Sequence, residues 1–82
     1  MIKENHQQEW EKLARNVQYL RTEFRIPKCQ MAKLLHISVY TLNKIEALEI
    51  PPRLTIEFLF HLSFHFRYTP YQLLSRRLDE ND

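Results

Sequence analysis

Eighty-two residues, 44% hydrophobic and 27% charged, make room for one small core rather than two domains. The net charge of +2 is too small to argue for nucleic acid by itself, and the single cysteine, Cys29, excludes an internal disulfide and fits a reducing compartment. No apolar run reaches the roughly 18 residues of a membrane span and no charged-then-apolar leader opens the chain, so a cytoplasmic protein off the membrane is expected.

In chain order the pattern predicts five helices and no long linker, within a single domain over 1–82. Asn5, with Gln8 three residues on, reads as the cap and capping box of a first helix, in which Trp10, Leu13, Val17, Leu20 and Phe24 recur at helical spacing as one core face. Pro27 suits the first turn of a second helix ending at about Leu35, and Ser38 caps a third that runs to about Ala47. Leu48 to Arg53 is a loop, because Pro51 and Pro52 lack amide protons and push their predecessors into extended conformations. Thr55 is expected to cap helix four. Thr69, Pro70 and Gln72 supply the N-cap, first-turn proline and box residue of helix five, and the acidic tail over 79–82 is expected to fray.

Helix four is where the sequence rules conflict. Apolar side chains stand at every even position from Phe58 to Tyr68, the period-2 signature of a half-buried strand. At 100° per residue, however, Glu57, His61 and His65 share one narrow stripe, and the apolar residues fill the rest of the circumference. The Thr55 cap and the lack of a second convincing strand favour a helix. Such a helix is apolar over a wider arc than a small core can cover. The surplus, represented by Phe58, Phe60, Phe64 and Phe66, predicts a homodimer seam, the alternative being a large local core shared with Trp10 and Tyr71.

The segment 28–47, KCQMAKLLHISVYTLNKIEA, carries the functional signal. Met31, Ala32 and Leu35 form one apolar stripe, Leu42 and Ile45 a second, with Ser38 as a cap between them and Ala32 small enough for a close crossing. Two such helices make a helix-turn-helix, whose second helix can enter the DNA major groove. Charge agrees: residues 25–53 hold five cations and two anions, against seven and eight elsewhere.

From Leu20 to Leu74 the chain resembles the Cro/C1-type helix-turn-helix domain of phage repressors and xenobiotic-response-element-like regulators. The matching residues are Leu20 and Arg21, Met31 and Ala32, Leu35 to Ser38, Thr41 to Glu46, and Thr69 to Leu74. The resemblance implies an all-α, five-helix, lambda-repressor-like fold over 20–74. It also implies a sequence-specific regulator of transcription, with repression as its expected mode. The chain departs from the family at Lys28, where glutamine is usual, and at Arg25, His36 and Leu48, where glycine is common; histidine tolerates a positive φ better than β-branched residues do.

Function can then be assigned by residue. Lys28 should meet phosphate at the start of helix two, and Arg53 should clamp the backbone after the proline loop. Ser38, Val39, Tyr40, Thr41, Asn43 and Lys44 stand at the start of helix three or off its core stripe. Asn43 can bridge adenine N6 and N7, Lys44 can donate to guanine or phosphate, Val39 or Thr41 can touch thymine methyls, and Tyr40 can stack on sugar or bond phosphate. A dimer would set two such helices on successive turns of a palindromic operator. Glu57, His61 and His65 have the spacing of a metal face but read as a solvated stripe, Cys29 as a bland, partly buried thiol, and no metal or cofactor is expected. No nucleophile has an evident partner and no glycine exists for a phosphate-cradling loop, so an enzyme is not expected. The rival reading is a protein-interaction module, an antitoxin or antirepressor, that uses the apolar face of helix four.

Overall fold

Each helix of the chain exists because it has one apolar stripe to bury, and the five stripes meet in a single core. The computed structural model describes residues 2–51 and 54–78, with side chains from residue 8 onward. The helices are α1 (Ile2–Glu23), α2 (Lys28–Leu35), α3 (Val39–Glu46), α4 (Glu57–Phe66) and α5 (Pro70–Ser75), and no strand occurs among the described residues. The core collects Leu13, Ala14, Val17 and Leu20 from α1, Met31, Ala32 and Leu35 from α2, and Leu42 and Ile45 from α3. Phe58, Leu59 and Leu62 of α4 and Leu73 of α5 complete it. α1 packs on α3 and α5, α2 on α3 and α4, and α4 on α5. The radius of gyration, 11.9 Å, is that of a close-packed domain of this length.

Segment 58–68 is helical over most of its length, so the helical period prevails over the period-2 pattern. Its core face is Phe58, Leu59 and Leu62, while Ile56, Phe60 and Phe64, spaced four residues apart, form an outer stripe that is 61%, 55% and 78% exposed. Phe58 therefore leaves the predicted seam: it is buried, edge-on to Trp10 at 6.4 Å between centroids. Phe66 is half-buried and stacks on Phe24 at 5.4 Å. Tyr71 is exposed and does not enlarge the core.

Helix boundaries match expectation where a side chain fixes them. Thr69 Oγ1 accepts from the Gln72 amide at 3.1 Å and Gln72 Oε1 from the Thr69 amide at 2.9 Å, closing the box around Pro70. Thr55, by contrast, is not a cap; Ile56 holds that position in α4 and makes no side-chain hydrogen bond. Asn5 lies inside α1, which begins at Ile2. α1 stops at Glu23, so Phe24 is 57% exposed rather than part of its core face. The tail over 79–82 lies outside the described residues.

Arg25, His36, Leu48 and Arg67 adopt left-handed φ values of 56°, 60°, 66° and 63°, and each follows the end of a helix. After α1, α2 and α3 the hydrogen bonds are of the Schellman type: Ile26 N to Arg21 O at 2.9 Å, Ile37 N to Ala32 O at 3.0 Å, and Glu49 N to Lys44 O at 2.9 Å. Glycine usually fills such a position, yet this chain has none. At His36 the ring stacks on His61 of α4 at 4.0 Å, which removes His61 from the expected solvated stripe.

One buried polar residue ties the termini of the fold together. Asn16 is fully buried; its Nδ2 donates to the carbonyls of Leu73 at 2.9 Å and Arg76 at 2.7 Å, and its Oδ1 accepts from the Leu78 amide at 2.9 Å. Those carbonyls are among the orphan acceptors at the end of a helix, so one α1 side chain supplies the C-terminal cap of α5.

Candidate nucleic-acid interface

The three residues His36 to Ser38 join α2 to α3, and three interactions fix the angle and register of α3. Ala32 is buried, and its side chain is only a methyl group, which permits a close approach of a neighbouring helix. Ser38 Oγ accepts from the Thr41 amide at 3.0 Å and lies 3.0 Å from Thr41 Oγ1, satisfying an orphan donor of the first turn. At the other end Glu46 receives Arg21 of α1 as a two-pronged pair, Nε to Oε2 at 2.6 Å and Nη2 to Oε1 at 3.0 Å, and Arg21 Nη1 reaches the Ile26 carbonyl at 3.3 Å. The fork is only 16% and 6% exposed at its two side chains, where such a pair holds a helix firmly.

With Leu42 and Ile45 buried, α3 presents Val39, Tyr40 and Asn43 to solvent, with Thr41 and Lys44 half-exposed beside them. Tyr40 is 62% exposed. Lys44 Nζ lies 5.4 Å from the centre of the Tyr40 ring and 3.1 Å from Glu49 Oε1. The hydrogen bond and charge of Glu49 hold the Lys44 ammonium above its ordinary pKa. Lys28 is exposed at the first turn of α2, and its Nζ donates to Asn43 Oδ1 at 2.8 Å, across the turn.

Comparison with protein-family models, with curated proteins and with solved structures found no match to this chain.

Of the residues singled out by sequence, Lys28, Val39, Tyr40, Thr41, Asn43 and Lys44 come together on the α2–α3 side. Ser38 is the cap expected of it, and one residue differs in detail: the Asn43 oxygen expected to accept from adenine is engaged by Lys28. Arg53 lies outside the described residues. Cys29 is exposed rather than partly buried. The Arg21–Glu46 fork was missed as an interaction, although both residues stand in the motif; an acidic residue at the end of α3 opposite an arginine on α1 was the available signal. Among the described residues no group of three or more His, Cys, Asp or Glu could hold a metal ion, and no helix is long and apolar enough to cross a membrane.

Proposed function

We propose that this chain is a sequence-specific duplex-DNA-binding regulator of the lambda-repressor-like, Cro/C1-type helix-turn-helix class, acting in the cytoplasm as a homodimeric repressor and not as an enzyme. α3 lies in the major groove, the start of α2 faces the phosphate backbone, and two copies read a palindromic operator. The observation that carries this reading is the division of α2 and α3 into two faces. Met31, Ala32, Leu35, Leu42 and Ile45 are buried, whereas Lys28, Val39, Tyr40 and Asn43 stand together in solvent on elements locked by the Arg21–Glu46 fork. The outer stripe of Ile56, Phe60 and Phe64 supports a second copy as partner, since three large apolar side chains in one row are costly to leave in water.

Duplex affinity as a function of salt tests the proposal. If Arg25, Lys28, Lys44 and Arg53 of each copy neutralise about one phosphate apiece, log K falls with log salt at a slope of about −7 for the dimer. A slope near zero removes the DNA reading and leaves the protein-interaction module, with the stripe on α4 as its docking face.

A further inference from the structure

The contact between Lys28 and Asn43 determines which hydrogen-bonding groups these two side chains have left to offer. An ammonium has donors only, so the group it meets on Asn43 must be the oxygen, as the 2.8 Å Nζ–Oδ1 contact has it. In this arrangement the carboxamide turns its oxygen to Lys28. Its Nδ2 amide group is left to donate, Oδ1 keeps one lone pair, and Lys28 retains two further N–H groups. Together the two side chains form a patch of donors with a positive charge inside it.

The edges of the two purines differ in just this respect. Adenine presents the N7 acceptor beside the N6 amine, and a carboxamide reads it by accepting from one and donating to the other; guanine presents O6 and N7, both acceptors. With its oxygen held by Lys28, Asn43 can donate to either purine. A second lone pair remains on Oδ1, but an adenine amine approaching it would bring its donors against the ammonium, whereas guanine O6 would be drawn to that charge. We propose that the Lys28–Asn43 pair is a specificity determinant selecting guanine over adenine at one position of a duplex site. The proposal rests on the duplex-binding reading above and deepens it, making Lys28 a residue that sets base choice through Asn43.

Selection of bound sequences from a random duplex pool, run on wild type, Lys28→Met and Asn43→Asp, tests it, with circular dichroism to establish that each variant keeps its helices. Wild type should enrich guanine at one position of each half-site, roughly five- to hundredfold over adenine. Lys28→Met keeps the stem, frees the oxygen and should move the preference at that same position to adenine. Asn43→Asp keeps the partner of Lys28 but removes the amide donors, and should abolish the guanine preference. Adenine enriched by wild type overturns the proposal, as does a guanine preference unchanged in Lys28→Met. Loss of affinity in Lys28→Met without any change of base, the signature of a simple phosphate contact, overturns it as well. If wild type enriches no sequence and its salt slope is near zero, the duplex reading itself fails, and the base-choice proposal fails with it.

Discussion

Asn16→Ala removes the residue that closes the fold, and its cost follows from the three hydrogen bonds it makes. The substitution strips partners from the Leu73 carbonyl, the Arg76 carbonyl and the Leu78 amide together. Leu73 is fully buried, and an unpartnered acceptor there costs about 1–3 kcal/mol. Arg76 is exposed and Leu78 half-buried, so water recovers part of those two bonds, each worth about 0.5–1.5 kcal/mol net. The sum comes to about 2–4 kcal/mol. In a domain of this size each kcal/mol lowers Tm by about 4–8 °C, so a fall of about 12–24 °C is expected near the middle of that range. Urea and thermal unfolding followed at 222 nm measure the loss, and amide exchange at Leu78 reports whether the end of α5 opens first. Asn16→Asp, which retains the acceptor for Leu78 but turns an oxygen toward two carbonyls, should cost at least as much. A loss below about 1 kcal/mol for Asn16→Ala would refute the assignment of Asn16 as the cap of α5.

Glu46→Ala leaves the Arg21 guanidinium without its two-pronged partner in a poorly hydrated site; a loss of about 1–3 kcal/mol in urea unfolding is expected, with duplex affinity falling because α3 is no longer pinned to α1. Phe64→Asp on the outer stripe of α4 should yield a folded monomer by sedimentation, whereas unfolding of the variant, or a wild type already monomeric at tens of micromolar (well above a dimer Kd of about 1 μM), would refute the dimer. Arg67→Gly should stabilise the chain by about 0.5–1 kcal/mol, because relief of left-handed strain exceeds the added entropy of the unfolded state, and Tm reads the gain.

How much could be read from the sequence depended on the distance between partners. Thr69 and Gln72 are three residues apart, so their box could be foreseen; Asn16 and its partners are separated by 57, 60 and 62 residues, and no local pattern connects them. The two α2–α3 stripes were legible because helical periodicity reports which face is apolar, and every residue assigned to them is buried. Phe24 was misread because its spacing continues the α1 stripe although the helix ends one residue earlier. Thr55 was misread because composition favoured it over Ile56, which sits one residue nearer the helix. At the candidate interface the exposed residues were identifiable from the pattern, but the Lys28–Asn43 contact was not, since it depends on how two helices cross.

The glycine-free left-handed caps bear on whether segment 28–47 can be used in isolation. Glycine would stop α2 by its own preference; His36 stops it only while the buried stripes of both helices and the His61 ring reward the turn. A synthetic peptide covering 28–47 has neither α1, to hold Glu46, nor α4, to hold His36. Its cheapest conformation is a frayed single helix passing straight through the turn, in which Leu42, seven residues on, falls on the same stripe as Leu35 instead of standing on a separate helix. Miniaturising this surface would therefore require a designed turn, with glycine at position 36, before any side chain facing solvent could matter.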